Sequence, residues 1–387
     1  MSTLPAASER AAPRDKSPSS FKSKSSKSSK SPQSPRSPKS ADSPKSEQSD
    51  AGALLPAVHW TQLAEEANDD DDADSTIGDN ASSTASITSS IMQYRTVNGR
   101  TYQSERGNAD YWGPVDDAHQ EAMDINSLPS HHVLTLLLDG KLHLAPISRD
   151  IQKAVDIGTG TGIWAIDFAD EYPNASVIGT DLAPIQPGWV PPNLEFQIDD
   201  CTQDWTFQKD SLDYVHMRWL VGSIADWTSL YKQAYKALKP GGYLESYEPS
   251  SCIESEDGTV TETSALNQWG KFFVEGGRAI GRPFTIFEED IQRKAMEEAG
   301  FVDIEERVFK NPIGRWPENP KLREIGSYMQ LGFEQDAEGT VLFMATTLGW
   351  KREEVAVYIA HFRREIRDKN VHGFFKQRVI WGRKPES

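Results

Sequence analysis

The chain has little or nothing of the patterns that mark secreted, membrane-spanning or metal-binding proteins. Of its 387 residues only Cys201 and Cys252 are cysteines, too few for a disulfide framework, which indicates a reducing intracellular compartment. No apolar run approaches the roughly 20 residues of a membrane span, and the N-terminus lacks the apolar core of a secretory signal. Neither the cysteines nor any His/Asp pair has the spacing of a metal site. We therefore expect a protein of the nucleus or cytoplasm, or of both.

Basic charge is also scarce over most of the chain. The formal net charge is −17, from 58 acidic and 41 basic residues. Residues 1–50 carry 10 Lys/Arg against 5 Asp/Glu, which leaves 31 basic against 53 acidic residues, or −22, for the remainder. A fold that acidic is a poor general binder of nucleic acid, so we expect no direct contact between the fold and nucleic acid.

The composition of residues 1–90 predicts a disordered tail. Ser, Pro and Lys dominate 16–45, and such a segment cannot bury enough apolar surface to offset the entropy lost on ordering. We interpret it as a solvated linker, with a nuclear address in its spaced lysines as the alternative. An acidic run at 65–79 follows. Phosphorylation at five Ser-Pro pairs could reverse the charge of the tail; these begin at Ser17, Ser31, Ser34, Ser37 and Ser43.

The most informative stretch starts at Val155. An apolar run that contains Asp156 leads into Gly158, Gly160 and Gly162 at every second position, and a helix-like segment follows. This pattern predicts a strand, a glycine turn and a helix, with backbone that can approach a ligand closely and N–H groups that face it. In a dinucleotide-binding fingerprint the third glycine comes one residue later. Alternating glycines after an acid resemble motif I of class I S-adenosylmethionine-dependent methyltransferases, where the turn cradles the amino-acid end of the cofactor.

Strand and helix patterns alternate from residue 153 onwards. Apolar strands interleaved with helices predict a parallel sheet that is covered on both faces. Two late strands then match the Rossmann-like, seven-stranded sheet of class I methyltransferases, and the resemblance implies that the last strand inserts antiparallel. The predicted strands are 153–157, 176–181, 194–199, 211–217, 242–248, 301–309 and 374–383, and the clearest helices are 163–171, 227–238 and 287–299.

The remaining segments complete an α/β methyltransferase domain over 94–385. We expect an N-terminal preface at 94–150, a cofactor-binding core at 151–310, a helical insert at 311–372 and the last strand at 373–385. An Asn-Gly turn at 98–99 predicts a hairpin in the preface. Two preface helices are expected, at 118–125 and from Ser130 to Gly140. In methyltransferases such a preface commonly closes over the cofactor.

Three further residues are candidates for cofactor contacts, because doubly wound sheets bind ligands at the carboxyl ends of their strands. Asp181 comes about 20 residues past the glycines and suits a ribose diol, since a carboxylate can accept from both hydroxyls; a dinucleotide fold would place an acid here too. By the resemblance, Asp200, or less well Asp199, accepts from the adenine amino group. Met217 could border the cofactor. Each residue also has a structural alternative: Asp181 as a loop cap, Asp200 as part of a solvated acidic loop, and Met217 as a packed strand end.

Several strings sharpen the resemblance. Leu-Lys-Pro-Gly-Gly at 238–242 resembles motif V of the methyltransferases. Asp-Leu-Ala-Pro-Ile-Gln-Pro at 181–187 and Trp-Gly-Arg-Lys-Pro at 381–385 are similar to fungal LaeA-like methyltransferases. This resemblance implies S-adenosyl-L-methionine as cofactor and a regulator of secondary metabolism and development, acting in the nucleus with velvet-type protein partners. Relatives in biosynthetic clusters imply the alternative of a small-molecule O- or N-methyltransferase.

Methyl transfer requires few reactive side chains. Methyl transfer is an in-line displacement in which the protein chiefly aligns the two partners and excludes water; a base helps if the acceptor is a hydroxyl or an ammonium group. The candidates for that base near the strand ends are His216, Glu248 and Glu245, and His131 and His132 on the preface helix could overhang the site. A structural role is favoured for each of the five, and His216 and Glu248 are retained as the catalytic candidates. A cofactor-binding scaffold without turnover is disfavoured by the intact motifs. A nicotinamide dehydrogenase is disfavoured by the glycine spacing and by the Leu-Lys-Pro-Gly-Gly string.

Overall fold

The computed structural model describes residues 52–67, 95–97, 100–102 and 131–386. Strands β1 (Arg95–Val97) and β2 (Arg100–Tyr102) form the antiparallel hairpin expected around the Asn-Gly pair. The other strands are β3 (Lys153–Ile157), β4 (Ser176–Asp181), β5 (Leu194–Ile198), β6 (Leu212–Arg218), β7 (Leu238–Glu254), β8 (Val302–Pro312) and β9 (Phe374–Arg383). The helices are α1 (Ala57–Ala67), α2 (131–137), α3 (Ile163–Glu171), α4 (Trp227–Ala237), α5 (Ala265–Ile280), α6 (Ile291–Ala299), α7 (Pro320–Thr347) and α8 (Arg352–Arg367).

The larger sheet has seven strands in the order β5-β4-β3-β6-β7-β9-β8. Strands β5, β4, β3, β6 and β7 run parallel, and β9 runs antiparallel between β7 and β8. The predicted class I methyltransferase fold, including its antiparallel last strand, is therefore confirmed. The chain moves outward from β3 to β5 and then crosses to β6, so the strand order reverses between β3 and β6. Ligands bind at such a switch point in doubly wound sheets.

Most predicted boundaries lie within a few residues of the observed ones. Strands 153–157, 176–181 and 374–383 coincide with β3, β4 and β9. The helix expected at 287–299 begins only at Ile291, because Asp290 adopts a left-handed backbone with φ 55°. The expected insert contains α7 and α8, and α7 is kinked at Asp336. No helix within the described ranges is long and apolar enough to cross a membrane.

Helix α1 departs from the expected disorder of residues 1–90. Its Trp60 is 1% exposed and packs edge-on against Tyr358 of α8, with ring centroids 5.2 Å apart. Just before the helix, the Leu55 N–H donates to the Gln268 side chain of α5 at 2.7 Å. The expectation of disorder is thus wrong for this segment, because one large aromatic anchor stabilises a helix inside a polar region. The rest of 1–90, the helix expected at 118–125 and the cap at Ser130 lie outside the described residues.

A buried carboxylate joins the segment after α2 to the sheet. Glu245 of β7 is fully buried, and its Oε2 accepts from the backbone N–H groups of Leu144 at 2.9 Å and Ala145 at 2.6 Å. Burial raises the pKa of Glu245 to about 7, although these two hydrogen bonds and the Tyr214 hydroxyl act to lower it. The charge of Glu245 therefore costs stability at neutral pH, while its oxygen fixes the wall of the site described below.

Replacing Glu245 by Gln should change how stability depends on pH. The folded pKa of about 7 lies above the 4.5 of a free glutamate, so the folded protein binds more protons across that window and loses stability as pH rises through it. Glu245→Gln keeps an oxygen for both N–H donors but does not titrate. We compare the free energy of unfolding of the wild type with that of the variant at each pH. The wild-type value minus the variant value should fall by at most about 3 kcal/mol between about pH 5 and pH 8. Urea unfolding at several pH values measures it, and parallel pH profiles would contradict the assignment.

Candidate functional site

The predicted strand, glycine turn and helix are present as β3, the turn 158–162 and α3. Gly158, Gly160 and Gly162 all have left-handed backbone, with φ of 68°, 58° and 81°. Such a conformation is strained for residues with a Cβ but open to glycine. The alternation of glycines is therefore what lets β3 turn directly into α3.

The three glycines face different surroundings. A Cβ on Gly158 would lie 2.4 Å from Leu220 Cδ2, and one on Gly162 would lie 2.2 Å from Phe196 Cζ. A Cβ on Gly160 would meet nothing within 4 Å. Gly158 and Gly162 are thus required by packing within the protein, whereas Gly160 presents its backbone to open space. A ligand can approach the turn at Gly160.

Asp181, at the end of β4, borders the same open face. Its Oδ2 accepts from the Gly160 N–H at 2.7 Å, and its Oδ1 accepts from the Ala183 N–H at 3.0 Å. Burial raises the pKa of Asp181, and the backbone donors act against it. Each carboxylate oxygen can accept more than one hydrogen bond, so Asp181 can still accept from two hydroxyls. The structure brings Gly160 and Asp181 together, as their sequence positions suggested.

Gln186, in the segment after β4, supports the glycine turn, a role that was not predicted from the sequence. Its Nε2 donates to the Gly160 carbonyl at 2.7 Å and to the Ala183 carbonyl at 2.9 Å. Asp181 and Gln186 therefore hold the two peptide groups of Gly160, one through its N–H and the other through its C=O. The sequence feature that could have indicated this role is in 181–187, where the Gln186 amide follows Asp181 by five positions.

Asp200 lies just past the end of β5, beside the end of β4. The Asp199 N–H donates to the Asp181 carbonyl at 2.9 Å, and the Asp200 Oδ1 accepts from the N–H and hydroxyl of Thr202 at 2.9 and 2.6 Å. Burial raises the pKa of Cys201 to about 12, with the charges of Asp200 and Asp181 adding to it. Asp200 thus caps its own loop next to Asp181, and its contact with adenine stays a prediction.

Asp156 is 3% exposed and is engaged within the protein. Its Oδ2 accepts from the Thr159 hydroxyl at 2.6 Å, and its Oδ1 lies 2.7 Å from the His216 Nδ1. Burial lowers the pKa of His216, so we assign a neutral imidazole that donates from Nδ1 and keeps a lone pair on Nε2. The His216 ring stacks on Trp164 of α3, with centroids 3.6 Å apart and planes at 6°. Asp156 therefore joins the glycine turn to β6.

A narrow cleft lies between α2, the carboxyl end of β6 and the neighbouring Tyr247 of β7. It encloses about 10 Å³, room for about one water molecule. Its polar lining comes from α2 and the segment that follows it, from α3 and from the two strands. The lining residues are His131, Leu134, Thr135, Leu138, Lys141, Leu142, Trp164, His216, Arg218 and Tyr247.

Glu248 and Met217 do not line this cleft. Glu248 is fully buried and accepts from the N–H groups of Leu220 at 3.0 Å and Val221 at 2.9 Å, and burial raises its pKa to about 8. These hydrogen bonds hold the loop that contains Leu220, and the Leu220 side chain packs against Gly158. Met217 is fully buried in β6, paired with Ile157 of β3 and Ser246 of β7. The contacts of both side chains are those of packed strand residues.

Sheet order and glycine turn together place this protein among the class I S-adenosylmethionine-dependent methyltransferases. A family profile described as a methyltransferase domain matches residues 130–306. The chain is 37% identical to methyltransferase pytC of Aspergillus terreus over 81% of this chain and 95% of pytC. It is 34% identical to the secondary metabolism regulator LAE1 of Cochliobolus heterostrophus, over 75% and 94%. It is 32% identical to the secondary metabolism regulator laeA of Aspergillus fumigatus, over 74% and 76%.

The chain belongs to the fungal LaeA-like family of these enzymes. Its cofactor, S-adenosyl-L-methionine, supplies an electrophilic methyl group on a sulfonium when it is bound. The open backbone of Gly160 suits a close ligand, and the spare acceptor capacity of Asp181 suits a diol. The residues at the glycine turn and at the end of β4 therefore fit this cofactor.

Adding a methyl group at Gly160 should weaken cofactor binding. Gly160→Ala places a Cβ in the open space where the ligand approaches, and we expect S-adenosylhomocysteine affinity to fall about 10-fold or more. Gly349→Ala is the matched control, since Gly349 also has left-handed backbone and nothing within 4 Å of an added Cβ. Both variants should lose similar stability from backbone strain. Titration calorimetry measures the affinities, and equal affinity in the two variants would remove Gly160 from the site.

Proposed function

We propose that this protein is a methyltransferase that regulates secondary metabolism and development, acting on a protein acceptor within a nuclear complex with velvet-type partners. The observation that carries the proposal is its similarity to LAE1, a relative named as a secondary metabolism regulator and aligned over 94% of its length. The laeA protein of Aspergillus fumigatus carries the same designation.

The N-terminal tail supports the nuclear part of the proposal. Residues 1–50 combine spaced lysines with Ser-Pro pairs, and clustered basic residues are a common nuclear address. A fluorescently tagged chain should accumulate in nuclei, and the same chain without residues 1–50 should not. A uniform signal from the full chain would count against nuclear action.

A second candidate is methylation of a small molecule at oxygen or nitrogen. The relative pytC is named simply as a methyltransferase and has the higher identity, 37%. In either case a hydroxyl or ammonium acceptor must lose a proton. We propose His216 for that step, because its Nδ1 is held by Asp156 at 2.7 Å and its ring borders the cleft. Its second nitrogen is then an acceptor that can take a proton directly or through one water.

Deletion of the gene in its native fungus distinguishes the two candidates. A regulator predicts that many chemically unrelated metabolites decline together, together with a developmental phenotype. Complementation with wild type should restore them, and complementation with Gly160→Ala, whose cofactor binding is weakened, should restore less. If one product alone disappears and its unmethylated precursor accumulates, the regulatory proposal is overturned in favour of the small-molecule enzyme.

A further inference from the structure

The cleft under α2 carries charge opposite to that of the fold around it. The protein has a formal net charge of −17, yet none of the described residues that line this cleft is acidic. Its ionisable lining consists of Arg218 and Lys141 together with two histidines and a tyrosine. A cationic cleft in an acidic protein favours an anionic ligand and concentrates it locally.

Arg218 has few partners for a half-buried cation. Among the described residues no carboxylate lies within 4 Å of its guanidinium, and its hydrogen bond is to the His131 Nδ1 at 3.3 Å. Burial lowers the pKa of Arg218, opposed mainly by the more distant Asp156. A guanidinium has five N–H donors, and burying a charge without a counter-ion costs free energy. Arg218 therefore presents a planar set of donors that a carboxylate would satisfy.

The neighbouring acids are already engaged, so they are not the missing partner. Asp156 binds Thr159 and His216, and Asp167 of α3 lies 3.0 Å from the His131 Nε2. Because Arg218 can only donate, the His131 Nδ1 must accept, which leaves the proton on Nε2 to donate to Asp167. His131 thus orients Arg218 through a lone pair and does not neutralise its charge.

The position of Arg218 identifies the anion. Ile157 of β3 pairs with Met217 of β6, so the next residues, Gly158 and Arg218, lie level at the switch point of the sheet. The resemblance to motif I of the class I methyltransferases implies that the amino-acid end of the cofactor lies at this glycine turn, and that end carries one carboxylate. We propose that Arg218, oriented by His131, binds the α-carboxylate of S-adenosylmethionine through its planar donor pair. The charge-assisted pair would fix the sulfonium relative to the ends of β6 and β7.

This inference rests on the cofactor assignment and not on the regulatory role, so its failure would leave that role untouched. The test compares S-adenosylhomocysteine with 5′-methylthioadenosine, which keeps the nucleoside and the thioether but lacks the amino-acid carboxylate. Arg218→Met should weaken S-adenosylhomocysteine binding about 10- to 100-fold and leave the affinity for 5′-methylthioadenosine unchanged. Titration calorimetry on the full chain, with displacement titrations for the weaker ligand, measures both.

Two controls keep the result interpretable. Arg149→Met removes an exposed arginine that pairs with Glu171 and should change neither affinity. The melting temperature of Arg218→Met should equal or exceed that of wild type, because removing a cation without a carboxylate partner relieves a desolvation cost. Unchanged binding of S-adenosylhomocysteine would overturn the proposal. So would an equal loss for both ligands, because it would indicate general damage to the site.

Discussion

The hydrogen bond from the Gly160 N–H to the Asp181 carboxylate, 2.7 Å long, is the contact on which the site depends. It joins the turn after β3 to the end of β4, and so places an acceptor group beside open backbone. Gln186 fixes the next peptide group by donating to the Gly160 carbonyl, and Leu220 and Phe196 fill the space at the two flanking glycines. The protein thus packs tightly on both sides of Gly160 and leaves one gap, which has the character expected of a nucleoside cofactor site.

Buried acids stabilise the loops around that gap rather than supplying reactive groups. Glu245 and Glu248 lie three positions apart on β7, and each holds two backbone N–H groups of a neighbouring loop. Burial raises the pKa of both carboxyl groups. Each of them therefore lowers the stability of the fold when it is ionised. Asp156 likewise joins the glycine turn to His216. With these carboxylates committed to structure, the cleft beside them keeps its cationic lining.

The fold was largely predictable from the sequence, because apolar strands, glycine turns and capped helices are local patterns. β3, β4 and the glycine turn follow from residues within a few positions of each other. Helix α1 was not predictable by composition, since its stability comes from Trp60 packing against Tyr358, almost 300 positions away. The residues of the cofactor site also differ in whether local sequence or long-range packing determines their role. The sequence suggested that Asp181 lies near Gly160. Only the packing distinguishes Gly160 from its neighbours, engages Asp156 internally, and leaves Arg218 without a carboxylate partner in the part of the chain that the structure describes.

The central physical claim is that a sulfonium nucleoside binds across the switch point, with its ribose at Asp181. A crystal structure of the full chain with S-adenosylhomocysteine tests that claim most directly. We expect both ribose hydroxyls within hydrogen-bonding distance of the Asp181 carboxylate, about 2.5–3.0 Å, and the amino-acid end passing Gly160 toward β6. A ligand bound elsewhere, or a ribose that does not contact Asp181, would contradict it.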